Sequence, residues 1–278
     1  MKEISRYELY YHVRRIIRGR ENLKVNEFIQ NNLYLNDIEL LDKILLLNIT
    51  ILEKIEEWFL ITSNQSSKNI EELISQFSKN IEILNQNNDF KKQNEILKKF
   101  KLFLNKSKKD EFYFFNDLIH LLNNINNNDV KKVLSHIKMD KNYLNLNQVF
   151  LSYAFDDRLY TFCLFLFMLE HDIFLYVDWM WSGEIDDGIV IKNNLLNEIK
   201  KSDQLLFMRT INSEFNIRGS GNIRGWCSWE LGAFYSVDKN NLNEKFYIEL
   251  YRSKKAKKTN KQLDGIKPLK GVISGSLI

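Results

Sequence analysis

The sequence predicts a two-part chain, with an all-α domain over residues 1–145 and an α/β domain over 146–278 whose mostly parallel sheet carries helices on both faces. Two observations divide the chain and a third sets the class. Gly19 is the only glycine before position 183, the other nine of the ten lie at or beyond it, and Pro268 is the single proline. Near residue 147 the apolar pattern changes from helical spacing to short apolar runs. These runs then alternate with helical segments, and that alternation builds βαβ units and a parallel sheet.

The first part has almost none of the turn residues that hairpins need, and is rich in Leu, Ile, Lys, Glu and Asn. It is therefore expected to be helical. Residues 37–60 place Leu41, Leu45, Leu52, Ile55 and Phe59 at helical spacing with charges opposite, which predicts a long core helix. Amphipathic segments follow at 67–84, 88–105 and 110–124, joined by stretches such as "TSNQSSKN" and "NNINNND".

In the second part, "QVFLSYAF" (148–155) has the Val, Phe and Tyr content of a strand and is closed by the acidic pair Asp156 and Asp157. A helix over 158–171 is apolar on nearly every side, at Phe162, Cys163, Phe165, Leu166 and Leu169, which predicts deep burial. A strand at 173–179, a glycine-bearing loop, a helix at 189–201 and a strand at 204–210 come next. A long loop then leads to a helix through "RGWCSWELGAF" (224–234), and "KFYIELY" (245–251) supplies the last strand. In such a sheet the site lies outside the carboxyl ends of the strands. Residues 154–157, 178–188, 210–225 and the start of the final helix gather there.

Composition narrows the functional classes. A formal net charge of +4, from 40 basic and 36 acidic residues, gives no electrostatic case for nucleic acid. The basic run "SKKAKK" (253–258) reads as a solvated loop. Cys163 and Cys227 make no disulfide framework, and their apolar neighbours predict burial. The charged N-terminus lacks the apolar core of a signal peptide, and the longest apolar run, 161–169, is far too short to span a membrane. A cytoplasmic protein is expected, with no membrane or nucleic-acid partner. His12, His120, His136 and His171 have no metal-ligand spacing with the cysteines, so no metal is expected.

One position stands out. At about 100° per residue, Trp226, Trp229, Ala233 and Val237 share a helix face with Glu230 in its middle. A carboxylate so placed finds a cation, shifts its pKa or lines a pocket. The bland alternative is an ion pair with Arg158, Arg209 or Arg224.

Taken in order, four motifs resemble those of the Toll/interleukin-1 receptor (TIR) domain. "VFLSYAFDD" is similar to its first box, "LYVDW" to its second strand, "SDQLLFMRTINSE" to its third strand and "WCSWELGAF" to the Trp-x-x-x-Glu helix of bacterial members. The match covers residues 147–278. It implies a flavodoxin-like fold and, in many bacterial, plant and axonal members, cleavage of NAD⁺ between nicotinamide and ribose. It makes Glu230, four residues after Trp226, the catalytic carboxylate. Tyr153, Ala154 and Phe155 fall where the family contacts the nucleotide, and Asp178 opens the loop carrying Trp179, Trp181 and Ser182. The chain departs from bacterial relatives by the insertion Phe215–Gly225, just before the glutamate helix.

The chemistry suits one carboxylate. Nicotinamide in NAD⁺ is already a cationic leaving group, so no acid is needed to protonate it. The demand is electrostatic support of an oxocarbenium-like ribose where water is excluded. Trp226, Trp229, Trp179 and Trp181 can supply that exclusion or stack on a base. NAD⁺ is then a substrate, and no cofactor is implied. Water attack gives ADP-ribose, whereas attack by the adenine gives a cyclic isomer. The resemblance also implies bacterial antiphage defence, assembly into homo-oligomers and a phage-derived or protein trigger read by the helical half. A non-catalytic TIR adaptor is the main alternative.

Three other readings are weaker. Receiver domains hold Mg²⁺ on an acidic pair like Asp156 and Asp157, but need an acceptor Asp where this third strand ends in Arg209 and Thr210. "GSGNIRG" (219–225) lacks the Lys-Ser/Thr of a phosphate loop. Cys227 with His171 would be a nucleophile pair.

Overall fold

The computed structural model describes residues 6–19, 23–61, 129–135, 137, 145–182, 188–210, 212–217, 220–237, 244–249, 263–273 and 275–278, together with the single positions Ser75 and Lys98. Apart from those two positions, the segments expected at 67–84, 88–105 and 110–124 lie outside the described residues. So does the run 253–258.

The described part of the first half is helical. Its elements are α1 (Arg6–Ile17), α2 (Leu23–Asn32) and α3 (Leu35–Ile61). The last corresponds to the long helix expected over 37–60, with Leu41, Ile44 and Leu45 buried at helical spacing. Leu52, Ile55 and Phe59 belong to the helix, but their side chains are outside the description.

The second half is an α/β unit. β1 (Asn147–Ser152) leads through a 3₁₀ turn at Phe155–Asp157 to α4 (Arg158–Glu170) and back to β2 (Ile173–Tyr176). A single helical turn, Trp179–Ser182, then precedes α5 (Gly188–Lys201) and β3 (Gln204–Arg209). Next come β4 (Glu214–Ile217), β5 (Ser220–Ile223), α6 (Gly225–Val237), β6 (Glu244–Glu249) and β7 (Lys267–Pro268). β8 (Val272–Ile273) and β9 (Ser276–Leu277) form a terminal antiparallel pair.

The main sheet has the order β2-β1-β3-β6-β7, and every pairing in it is parallel. With the β4–β5 hairpin set aside, this is the 2-1-3-4-5 order of a doubly wound sheet, compatible with a flavodoxin-like arrangement. The chain moves one way from β1 to β2 and the other way from β2 to β3. Right-handed crossovers therefore put α4 on one face and α5 with α6 on the other. Pro268 falls on the edge strand, where its missing N–H costs no ladder bond.

The N-terminal helices explain the composition of α4. Ten of its thirteen residues are buried, more than a sheet alone can cover, because α1 and α2 pack on its outer side. Tyr10 stacks on Tyr160 with ring centroids 4.6 Å apart, and Phe28 meets Phe165 at 5.0 Å. His12 pairs with Glu170 and Lys24 with Asp172 at the same junction. Asp172 has φ +62°, a left-handed conformation that Asp tolerates better than most residues, and it turns the chain from α4 into β2. The buried residues of helices and sheet form one continuous apolar cluster.

Two expectations need correction. The strand expected over 173–179 stops at Tyr176, because Asp178 accepts the backbone N–H of Trp179 and starts a helical turn. The long loop after β3 holds the β4–β5 hairpin, with Ile217 opposite Ser220, so only a two-residue link joins the strands. Consequently "GSGNIRG" is largely strand, not a phosphate loop.

Candidate functional site

At the carboxyl ends of β1 and β3, where the crossovers diverge, several predicted residues meet. This is the switch point at which such sheets bind ligands.

Glu230 is carried there by α6. The helix buries Cys227, Glu230, Leu231 and Phe234, so the core stripe is not the one centred on the tryptophans. Trp226 is 41% exposed and Trp229 half-buried, because the helix turns its 227/231/234 edge to the sheet. Glu230 itself is 3% exposed. Its Oε2 accepts a 2.6 Å hydrogen bond from Ser152 Oγ at the end of β1. Burial drives its carboxyl pKa well above the ordinary value, opposed by Ser152 and the Trp226 indole and reinforced by the charge of Asp178.

The ion-pair alternative does not hold among the described residues. Arg209 is committed to Glu214 and Glu249. The Arg158 guanidinium lies 3.5 Å over the Phe155 ring, and Arg224 is exposed. No described cation pairs with Glu230.

The residue after Ser152 holds a second carboxylate. The Tyr153 hydroxyl donates to Asp178 Oδ1, which also accepts the Trp179 backbone N–H at 2.8 Å. Burial raises the Asp178 pKa, against the Tyr153 and Trp179 hydrogen bonds and the charge of Arg158. Burial and the Asp178 charge push the Tyr153 phenol well above its usual range.

A third carboxylate, fully buried, fixes the loop beyond β3. Asp157 is 1% exposed and accepts hydrogen bonds from Thr210 Oγ1 and, at 2.7 Å, from Asn212 Nδ2. Thr210 and Ser213 close a turn by exchanging backbone-to-hydroxyl bonds of 2.8 and 3.0 Å. Ser213 O then accepts the N–H of Arg224 at 2.9 Å, just before α6 begins. The insertion is thus anchored at both ends of its hairpin, and α6 starts from a fixed position.

Of the other predicted residues, Ala154 is buried beside Tyr153, and Phe155 is 55% exposed at the rim. Trp179 is half-buried. Trp181 and Ser182 complete the turn after Asp178, with side chains outside the description. Cys227 donates to Tyr153 O at 3.3 Å, and burial pushes its thiol pKa up to about 12. Such a thiol is no nucleophile at neutral pH. His171 precedes β2 at the opposite end of the sheet, so the Cys227–His171 pair is overturned.

Sequence reasoning did not single out Ser152 as a site residue, although the "SY" pair that ends β1 was the available signal. The sequence presents Asp157 as a possible metal ligand, whereas the structure uses it to hold the loop through Thr210 and Asn212. At the far end of the sheet, a polar cleft of about 300 Å³ lies among Gln148, Asp203, Gln204 and Glu244. It shares nothing with the Glu230 site.

The chain matches no protein-family model, no curated protein and no solved structure.

Proposed function

We propose that the chain is an NAD⁺-cleaving enzyme with a flavodoxin-like TIR domain, which breaks the nicotinamide–ribose bond and uses Glu230 to support the ribosyl cation. The observation that carries the reading is a buried carboxylate at the sheet's switch point with a hydroxyl donor and no described cationic partner. A structural carboxylate in that setting ordinarily has a cation beside it. Here the missing positive charge is the one that develops on ribose as nicotinamide leaves. Water attack then yields ADP-ribose, and adenine attack a cyclic isomer. The helical half serves sensing or assembly, in bacterial antiphage defence, with homo-oligomers as the active form.

The adaptor reading draws on one observation, the 3% exposure of Glu230. Its carboxylate is as enclosed as a purely structural group. Measuring cellular NAD⁺ on expression of the full chain separates the two. Depletion by the wild type, absent in Glu230→Gln with self-association retained, supports the enzyme; equal NAD⁺ levels for both support the adaptor.

A further inference from the structure

We propose that Asp178 is the general base of this site, taking the proton from the water that attacks the ribosyl carbon after nicotinamide has left. The inference rests on the NAD⁺ reading above and assigns the second half of that reaction.

Glu230 and Asp178 come from different elements, α6 and the end of β2, yet consecutive residues hold them. Ser152 donates to Glu230 and Tyr153 to Asp178. The strand end thus fixes two carboxylates in one site, close enough for the charge of one to bear on the proton affinity of the other. Their surroundings differ. Glu230 is enclosed, whereas Asp178 is only partly buried, so water reaching the sheet edge meets Asp178 first.

The division of labour follows from what each step demands. Glu230, whose burial in the free protein favours the protonated form, is drawn into its ionised form by the positive charge of the bound dinucleotide and of the ribosyl cation it supports. The proton of the attacking water then falls to a second group of suitable basicity. Burial makes both carboxylates more basic than usual, so it is the greater exposure of Asp178 that assigns it the water. The groups facing it are Tyr153 beyond β1, Arg158 of α4, Glu230 of α6 and Tyr176 of β2. One residue on, the Trp179 indole N–H is buried with no acceptor among the described residues, a donor left for an acceptor atom of a bound ligand.

The step balances without a co-reactant beyond water. The C1′–N bond breaks and its electron pair leaves on the nicotinamide nitrogen. A water oxygen forms the new C1′–O bond, and its proton passes to the Asp178 carboxylate and then to solvent. Nothing is oxidised or reduced.

Base and cation support are separable, because a pyridine nucleophile has no proton to lose. The full chain is incubated with NAD⁺ and 3-acetylpyridine, and ADP-ribose and the exchanged dinucleotide are measured together. Asp178→Asn should lower the ratio of hydrolysis to exchange roughly 100-fold, the low end of what a positioned base contributes. Glu230→Gln should abolish both products. Tyr153 acts through Asp178, and Tyr153→Phe should move the acid limb of the hydrolysis-to-exchange ratio to higher pH, because the carboxylate loses a donor. An unchanged ratio in Asp178→Asn, or equal loss of both products, overturns the base role alone. A wild-type chain that forms neither product overturns the NAD⁺ reading and the base role with it.

Discussion

Ser152 Oγ donates a 2.6 Å hydrogen bond to Glu230 Oε2 and so ties the end of β1 to α6 across 78 residues of chain. Both side chains are buried, so neither finds water as a substitute. Ser152→Ala should therefore cost about 1–3 kcal/mol of stability, read as a lowered thermal midpoint. It should also raise the Glu230 pKa further, since the hydroxyl favours the ionised form.

Glu230 should make the protein less stable as pH rises. Its folded pKa lies well above the ordinary 4.5. Between those two values the unfolded chain has released a proton that the folded chain retains, so stability is fully present below the lower value and is lost through the window. Glu230→Gln keeps the shape and removes the titration. Thermal denaturation should show the variant more stable than the wild type at neutral pH and nearly equal to it at about pH 4. A constant offset at every pH would contradict the burial argument.

Asp157 should matter to the loop and not to the chemistry directly. Asp157→Ala leaves the Thr210 hydroxyl and the Asn212 amide without a buried acceptor, at a cost of about 2–4 kcal/mol. Hydrogen exchange should accelerate first at residues 212–213 and at Arg224, whose N–H is held by Ser213.

The helices α1 and α2 should be needed to keep the α/β unit well behaved. Without them, Tyr160 and Phe165 of α4 lose Tyr10 and Phe28. Residues 146–278 alone should scatter more light and bind more hydrophobic dye than the full chain. In the full chain, Phe28→Ala should cost about 3–5 kcal/mol, the usual range for emptying a buried phenylalanine site.

The parallel sheet was legible because its strands, buried on both faces, are nearly continuous apolar runs. The all-round apolar surface of α4 likewise announced deep burial, though not the identity of its cover. The β4–β5 hairpin was missed. Its strands are four residues each and mix Asn, Ser and Gly with Phe and Ile, so the alternation is too short to read. The face of α6 was placed one step off, since Trp226 and Trp229 are the largest residues and pulled the reading toward themselves. Packing instead turned Cys227, Leu231 and Phe234 inward. Glu230 was found because a carboxylate among apolar residues stands out locally. Ser152, its partner, is an ordinary serine until the fold brings the two together.

The proposed role of Glu230 is to support cleavage of the nicotinamide–ribose bond. Its most direct test is a time course of free nicotinamide from NAD⁺ with the purified full chain, wild type and Glu230→Gln, over a series of protein concentrations. Steady release by the wild type and a loss in the variant of at least about 100-fold, the scale of removing one preorganised electrostatic group, are expected. Equal release by both proteins, or none by the wild type at any concentration, would contradict that role.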